Sequence, residues 1–356
     1  MKKTLWMLGV AVAALTSCTE SEVVDIPESR VISFDSHIDK TTRAATLIQQ
    51  PGGEANDLNQ FWVYGKENTG DIFTSQSVIY SGTGFSYTTP KTWNTGKTYN
   101  FAAYSNANNA ASNTETSGGS TLESVEYELV DQTGSKLTFT NYTVGTDDLL
   151  AAIVSPIVIN NEGSNIPQSV SLNFQHLLSC VRITLTNSSE TLYLKIGDIT
   201  FSAIGTDNCE YEVSNTSKTI NWSNMQPAQT VSANKTYTFT DGETYIGPGE
   251  YFQDMCFFIP QFNDIAIEIT AETYEKTGTN PPYTYTKKST TTYPTTLRII
   301  DTDDTDGVNH AYWQPGYQYQ YAANIGGTVH YIRFTATIDN FDPHPSGIGG
   351  TNPTDN

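Results

Sequence analysis

The sequence predicts an all-β protein built from antiparallel β-sandwiches. Apolar and polar residues alternate along many short segments, a pattern that is typical of strands with one buried face. Tyr, Thr, Val, Ile and Phe dominate these segments, whereas Gly, Asn, Asp, Ser and Pro fill the stretches between them. No long window combines helical periodicity with helix caps. The clearest alternating segments are 171–174, 181–185, 196–201, 265–273, 317–325 and 331–338.

The N-terminus has the features of a secretion signal that ends in a lipidation site. Lys2 and Lys3 precede an apolar run over 5–15, which is much shorter than the roughly 20 residues of a membrane-spanning helix. The run ends in Leu-Thr-Ser before Cys18, whose thiol can carry a lipid, and two or more acyl chains anchor a protein stably. The alternative is an ordinary secreted protein that is cleaved elsewhere, with Cys18 lost or buried.

Chain length predicts two domains after the signal. The precursor has 356 residues, and the chain that remains after signal removal is longer than one ordinary hydrophobic core can organise. The loop 160–168 is rich in Asn, Gly and Pro, so it is the predicted boundary. The predicted division is a signal peptide at 1–17, a lipidated leader at 18–43, an N-terminal sandwich at 44–163, a C-terminal sandwich at 164–342 and a flexible tail at 343–356.

The charge of the chain argues against nucleic acid as a partner. The formal net charge is -20 at pH 7, and the acidic residues are scattered rather than gathered in one tail. Such a chain repels a phosphate backbone. Only 16% of residues are charged, so solubility alone is the simplest explanation of the acidic balance.

The cysteines do not form a disulfide framework. Apart from Cys18, three remain (Cys180, Cys209 and Cys256), and an odd number cannot pair completely. Cys180 and Cys256 lie in apolar segments, which predicts buried free thiols. Neither C-x-x-C spacing nor a histidine cluster is present, so no zinc, redox or other cofactor chemistry is predicted.

A short motif occurs in both halves of the chain. Residues 93–101 and 313–321 share the pattern W-x-x-G-x-x-Y-x-aromatic. The glycine suits the positive φ of a tight turn, and the alternating aromatic residues suit one face of the strand that follows. The motif therefore predicts a turn that leads into a strand in two similarly built domains.

Catalytic motifs were not found, and the chain is predicted not to be an enzyme. His176 has no accompanying nucleophile motif such as G-x-S-x-G, so it is interpreted as a packed structural histidine rather than a base. A glycosidase needs two carboxylates at a fixed separation, but 38 acidic residues provide such pairs by chance.

One acidic cluster is a weak calcium candidate. Closely spaced carboxylates suit calcium, and Gly307 could form the turn of a binding loop. However, the calcium-loop template aligned on Gly307 places Thr302 and Trp313 where Asp and Glu are required. A solvated loop without metal is therefore the preferred interpretation. The candidate carboxylates are those of Asp301, Asp303, Asp304 and Asp306.

Several motifs, taken in order, resemble the fimbrillin family of Gram-negative bacteria, the lipoprotein-derived subunits of type V pili. The resemblance covers nearly the whole chain and depends on the order of the motifs rather than on any single one. The motifs are the lipobox, Ile-Ser-Phe at 32–34, Thr-Thr-Arg-Ala at 41–44, Phe-Trp-Val-Tyr-Gly at 61–65, and the segments 93–104, 148–152, 172–179 and 313–321.

The resemblance implies a fold and an assembly route. Family domains are transthyretin-like, so two tandem transthyretin-like sandwiches are expected, on a lipoprotein exposed at the outer membrane. Family members lose their N-terminal segment by proteolysis after an arginine, and the matching bond here is Arg43–Ala44. Cutting there would release Cys18 with the segment 31–38, and a strand of another pilus subunit would fill the empty position in the fimbrium. The alternative for Arg43 is a solvated arginine in a flexible leader.

The sequence leaves the position in the pilus and the ligand open. If the strand 331–338 is donated, the chain is a stalk subunit, and if it completes its own sandwich, the chain is a tip or accessory adhesin. The polar tail is a weak donor. The alternative function is a monomeric glycan-binding lipoprotein that retains Cys18, because 21 Tyr and 5 Trp could stack on sugar rings. A ligand on a host or bacterial surface fits either function.

Overall fold

The chain folds entirely into β-sheets in the part that is described. The computed structural model describes 30–38, 46–47, 58, 60–106, 120–130, 134–145, 147–214, 217–223, 234–237, 245–262, 264–278, 281–298, 313–326, 334–340 and 347–349. Within these residues there is no α-helix, and none that could cross a membrane. The all-β prediction is confirmed. The strands are β1 (Phe34–Ile38), β2 (Thr46–Leu47), β3 (Gln60–Glu67), β4 (Gly70–Tyr80), β5 (Phe85–Ser86), β6 (Thr98–Ser105), β7 (Ser124–Leu129), β8 (Ser135–Thr143), β9 (Leu150–Val158), β10 (Val170–His176), β11 (Ser179–Asn187), β12 (Tyr193–Ser202), β13 (Thr206–Val213), β14 (Lys218–Trp222), β15 (Asn234–Tyr237), β16 (Tyr251–Phe258), β17 (Ile265–Thr277), β18 (Thr284–Leu297), β19 (Tyr317–Ile325), β20 (Thr335–Asn340) and β21 (Gly347–Gly349).

The strands form four sheets. An eight-stranded sheet has the order β2-β1-β10-β9-β6-β3-β4-β5, and a four-stranded sheet has the order β14-β13-β8-β7. A five-stranded sheet, β20-β19-β11-β16-β21, and a second four-stranded sheet, β15-β12-β17-β18, contain the later strands. Most pairings are antiparallel, but β1 runs parallel to β10, and β11 runs parallel to β19.

Side-chain alternation explains which residues of a strand face the core. In β17, Ile265, Ile267 and Ile269 are buried, whereas Ala266 and Glu268 between them are exposed. This is the period of two that the sequence predicts for a strand with one face in the core. The same strand contributes its buried face to a core between the five-stranded sheet and the sheet that contains β17.

The eight-stranded sheet is buried on both faces. In β3, Phe61 and Val63 belong to one hydrophobic core, while Trp62 between them belongs to another. Because neighbouring side chains of a strand point to opposite faces, the two cores lie on opposite sides of this sheet. The second core also contains Phe139 and Trp222, so it fills the space against the sheet β14-β13-β8-β7. Burial on both faces accounts for the uninterrupted apolar runs in β3 and β6.

Three pairings join strands from opposite sides of position 163. Strand β10 pairs with β1 and β9, and β13 pairs with β8. The eight-stranded sheet and the sheet β14-β13-β8-β7 therefore use strands from both sides of the predicted boundary. The division at 163/164 stays a prediction.

The repeated motif forms the same turn in both places, as predicted. Gly96 has φ 70° and Gly316 has φ 79°, the left-handed region that favours glycine. The backbone N–H of Asn94 donates to the hydroxyl of Tyr99 over 2.6 Å. The backbone N–H of Gln314 likewise donates to the hydroxyl of Tyr319, over 2.8 Å. The turns lead into β6 and β19, respectively.

Candidate functional site

Strand β1 and the groove that holds it form the candidate site. Phe34 to Ile38 pair in parallel with Val170 to Phe174 of β10. On its other side β10 pairs with β9 only through Gln175 and His176. Within the described pairings, residues 170–174 therefore have β1 as their sole strand partner. Without β1, this stretch of β10 would expose a row of unpaired backbone groups.

The residues just before β1 are also held by hydrogen bonds, to a part of the chain other than β10. The backbone N–H of Ile32 donates to the carbonyl of Lys91 over 2.8 Å, and that of Trp93 donates to the carbonyl of Arg30 over 2.9 Å. The hydroxyl of Tyr87 donates to the carbonyl of Ile32 over 2.6 Å. The segment thus lies between β10 and the stretch 91–93.

Phe34 is the main side chain that fills the groove. Its ring is only 3% exposed. Ring centroids lie 6.4 Å away for Phe61, 5.7 Å for Phe73, 5.8 Å for Tyr87 and 5.8 Å for Phe101. Three of these contacts are edge-to-face and one is tilted, and edge-to-face geometry is favourable for aromatic pairs. We name the four surrounding rings the aromatic pocket.

A glycine on β3 makes room for the aromatic pocket. A Cβ atom on Gly65 would lie 2.8 Å from Cδ2 of Phe73 and 3.0 Å from Cδ1 of Phe101. Contacts this short require one of the rings to move. Gly65 therefore allows both rings to pack close to the backbone of β3 beneath Phe34.

The side chains of residues 32–36 alternate between the groove and the solvent side. Ile32 and Ser36 are buried, whereas Asp35 is exposed. The hydroxyl of Ser33 donates to the carbonyl of Gln168 over 2.6 Å. The Ser36 hydroxyl has no hydrogen-bond partner among the described residues. A buried hydroxyl without a partner costs about 1–3 kcal/mol, so Ser36 fits the groove imperfectly.

The processing and calcium candidates of the sequence lie outside the described residues. These are Cys18, Arg43, Ala44, Asp301, Asp303, Asp304 and Asp306. Lipidation at Cys18 and cleavage at Arg43–Ala44 stay predictions, as does the weak calcium loop. In the part of the chain that is described, no three His, Cys, Asp or Glu side chains are grouped to hold a metal ion.

The structure places the other candidate residues in packed surroundings. His176 is 7% exposed, and its Nδ1 contacts the carboxylate of Asp148. Cys180, Cys209 and Cys256 are buried free thiols, which confirms the prediction made for Cys180 and Cys256. Burial raises the pKa of the Cys180 and Cys209 thiols well above the usual value, so neither forms the reactive thiolate near neutral pH.

Sequence reasoning missed the aromatic pocket, although part of its signal was present. Phe34 lies in the alternating run Ile-Ser-Phe-Asp-Ser, which predicts a strand with Phe34 on the buried face. The pocket itself is built from Phe61, Phe73, Tyr87 and Phe101 on separate strands and a loop. Their convergence depends on sheet order, which alternation does not reveal.

The comparison with protein families shows the family to which the chain belongs. The sequence profile described as fimbrillin-like matches residues 42–340, well over half of the chain. The chain belongs to the fimbrillin-like family. The match to the fimbrillin-like profile begins just before Arg43 and excludes β1, so the leader strand lies outside the region that the profile covers. The resemblance inferred from the ordered motifs is confirmed.

Solved structures similar to this fimbrillin-like chain come from Bacteroides and Parabacteroides species, and no match is found among curated proteins. A fimbrial protein from Bacteroides vulgatus is 14% identical with a TM-score of 0.43, covering 87% of this chain and 99% of that one. A proposed cell adhesion protein from Bacteroides uniformis is 11% identical with a TM-score of 0.45, covering 87% and 98%. A proposed cell adhesion protein from Bacteroides ovatus is 13% identical with a TM-score of 0.45, covering 88% and 99%.

Proposed function

We propose that this fimbrillin-like protein is a structural and adhesive subunit of a cell-surface pilus that assembles by strand exchange after its leader is cut. The observation that carries the proposal is the position of β1. It is joined to the later strands by a connection that contains Arg43, and within the described pairings it is the sole strand partner of residues 170–174. Removal of β1 creates a site that only another strand can complete.

Export as a lipoprotein is the first step of the proposed route. The signal at 1–17 is removed, and Cys18 carries the lipid that holds the precursor at the outer membrane surface. Cleavage between Arg43 and Ala44 then separates the lipidated leader, together with β1, from the two tandem transthyretin-like sandwiches that we propose for the mature chain. The mature subunit leaves the membrane anchor and enters the fimbrium.

The apolar contacts of the leader are what an incoming strand has to reproduce. Ile32 is fully buried and Phe34 is 3% exposed. Burial of each side chain contributes about 1.5–3 kcal/mol. The aromatic pocket is exposed to water when Phe34 leaves, so an empty groove is unfavourable both for its rings and for the unpaired backbone of β10.

A segment near the C-terminus repeats the side-chain pattern of the leader. Both segments read Ile-x-Phe-x-small-x-Ile, over 32–38 and over 332–338. The first set is Ile32, Phe34, Ser36 and Ile38, and the second is Ile332, Phe334, Ala336 and Ile338. Placed in the groove in the direction of β1, the second segment would put Phe334 in the aromatic pocket and Ala336 at the position of Ser36.

Strand β20, which contains part of this segment, belongs to its own sheet in the uncut chain, so donation requires it to leave that sheet. Among the described strands, β20 is an edge strand that pairs only with β19, while β19 keeps β11 as its other partner. Leaving its own sheet therefore costs one ladder of hydrogen bonds and the packing of Phe334 against Tyr321. Entering a neighbouring groove restores one ladder and packs Phe334 in the aromatic pocket. Ala336 also removes the buried hydroxyl that Ser36 leaves without a partner, which favours the donor over the leader.

Processing in the source bacterium tests the proposed route. Surface filaments whose subunits begin at Ala44 are expected for the natural sequence, and Arg43→Ala should retain a full-length, lipidated chain and abolish filaments. Arg30→Ala is the matched control, because Arg30 is an exposed arginine in the same leader and contributes its backbone carbonyl rather than its side chain to Trp93. Filaments of normal abundance from the Arg43→Ala strain would contradict the proposal.

The alternative function is a monomeric glycan-binding lipoprotein. Such a protein would keep Cys18 and its leader strand, so the same experiment separates the two functions. A non-catalytic role is proposed in either case, and membership of the fimbrillin-like family supports it. The likeness to a fimbrial protein and to proposed cell adhesion proteins agrees with this role.

A further inference from the structure

The outer face of the sheet β15-β12-β17-β18 carries a group of tyrosines that belongs to none of the hydrophobic cores. We name it the tyrosine face. It lies at the end of the β17–β18 hairpin, far along the strands from the buried isoleucines of β17. Its members are Tyr193, Tyr245, Tyr274, Tyr283 and Tyr285, which surround Lys276.

A β-bulge directs Tyr285 of this face outward. Thr273 pairs with Ser289 but Tyr274 pairs with Lys287, so Lys288 is an extra residue in β18. The extra residue reverses the alternation of β18. Odd-numbered residues that follow the bulge in the chain, such as Tyr293, face the core. Tyr285, which precedes the bulge, faces outward.

Contacts among the rings fix the shape of the tyrosine face. Tyr245 stacks on Tyr285 with centroids 3.7 Å apart and an interplanar angle of 6°. Tyr193 meets Tyr285 edge-on at 5.3 Å, and Tyr245 meets Tyr274 edge-on at 4.9 Å. None of the five rings is buried, and Tyr283 is 39% exposed. The rings are thus ordered before any ligand arrives, which reduces the entropic cost of binding.

Lys276 is the cation at the centre of this face. Its Nζ lies 3.7 Å from the ring centroid of Tyr283 and 5.1 Å from that of Tyr193, and it donates to the Tyr193 hydroxyl over 3.3 Å. The neighbouring lysines differ, because Lys287 pairs with Glu272 and Lys288 pairs with Glu275. Within the described residues, no carboxylate forms a salt bridge with Lys276, so its charge is available to an acidic ligand.

We infer that the tyrosine face binds an acidic saccharide, with sugar rings against the tyrosines and a carboxylate or sulfate on Lys276. The negative face of an aromatic ring attracts the C–H groups of a pyranose, while an ammonium pairs with an acid group. A protein partner fits less well, since protein interfaces are centred on a larger apolar core and this face presents tyrosine hydroxyls, lysines and glutamates. The proposal deepens the adhesive part of the proposed function and rests on that part, but not on strand exchange.

Calorimetric titration of the uncut chain tests the inference. The probes are 3′-sialyllactose and digalacturonic acid as acidic saccharides, and lactose as the matched neutral one. Saturable binding of at least one acidic probe is expected, with lactose at least about tenfold weaker because it lacks the acid group. Lys276→Met and Tyr283→Ala should each lower the affinity for the acidic probe by about tenfold.

The control is Lys218→Met, which removes an exposed lysine from β14 in a different sheet and should leave binding unchanged. Thermal unfolding of each variant verifies that the fold is retained. No saturable binding of either acidic probe at millimolar concentration would overturn the inference, as would equal binding of lactose or unchanged binding by both variants. Because the uncut chain is used, failure here is independent of whether a trimmed chain polymerises.

Discussion

Ser36 shows how a single atom can make the leader a replaceable occupant of its groove. The Oγ atom is buried and has no hydrogen-bond partner in the described part of the chain, while the hydroxyl of Ser33 donates to a carbonyl. The two serines lie on the same segment, but Ser36 is buried without a partner, whereas Ser33 is partly exposed and hydrogen-bonded. A leader that binds adequately but not optimally is suited to protecting the groove until a better strand arrives.

Replacing Ser36 by alanine should therefore stabilise the uncut chain. We expect Ser36→Ala to raise the free energy of unfolding by about 1 kcal/mol, because it removes an unsatisfied buried hydroxyl. Ser33→Ala is the matched control and should lower stability, since it removes the hydrogen bond to Gln168. Urea unfolding monitored by tryptophan fluorescence measures both. A loss of stability in Ser36→Ala as large as that in Ser33→Ala would contradict this interpretation.

Gly65 is the second residue whose identity is set by the groove. We expect Gly65→Ala to destabilise the chain by about 1–3 kcal/mol, because its Cβ would overlap the rings of Phe73 and Phe101. Gly84→Ala is the control, since no heavy atom lies within 4 Å of the Cβ it would add. Urea unfolding of the two variants makes the comparison. Equal effects of the two substitutions would contradict the close packing of the aromatic pocket on β3.

At the scale of elements, the repeated turn shows what the sequence revealed and what it did not. The motif predicted the turn, the glycine conformation and the strand that follows, because all of these depend on residues close in the chain. It did not reveal that the tyrosine hydroxyl accepts the backbone N–H of the residue after the tryptophan. That contact requires the first and sixth positions after the tryptophan to meet, which is set by the fold of the turn.

This turn predicts a loss of stability at high pH. Burial raises the pKa of Tyr99 to about 12, above the value of about 10 in an unfolded chain. Between these pH values the folded state binds more protons than the unfolded state, so the free energy of unfolding falls as pH rises from about 10 to about 12. Tyr99→Phe should make this decline shallower in urea unfolding experiments across that range. An identical decline in both proteins would contradict the assignment.

Strand pairing was the part of the fold that sequence could not supply. Alternation identifies strands from local residues, so β17 and β19 were predicted well. Pairing between Phe34 and Val170 joins segments that are far apart in the chain, and no local pattern encodes it. The uninterrupted apolar run in β3 also hides its two-sided burial, and the bulge at Lys288 reverses the alternation of β18 without a sequence signal.

At the scale of the whole molecule, the sheet edges differ in how well they are protected against pairing with other chains. The outer strand β18 contains Lys287, Lys288 and Pro294, and charged residues and proline discourage pairing with other chains. The groove of β1 has no such protection once the leader is gone, because its walls are the backbone of β10 and the aromatic pocket. Association directed through this groove would therefore give ordered filaments rather than unspecific aggregates.

The central claim is that loss of the leader converts a closed monomer into a polymerising subunit. The most direct test cuts a purified chain lacking its signal and measures native mass by light scattering during size-exclusion chromatography. Because Arg30, Arg182, Arg298 and Arg333 are also present, the cut is directed by a sequence-specific protease site that replaces 40–44. An excess of a peptide with the sequence 31–38 serves as the control, since it should refill the groove.

The expected result is release of the leader followed by a ladder of oligomers, which the 31–38 peptide suppresses and which Phe334→Asp abolishes. Aspartate at that position would place an unpaired charge in the aromatic pocket, a strongly unfavourable arrangement. A cut chain that stays monomeric at high concentration, whether its leader departs or remains bound, would contradict the account.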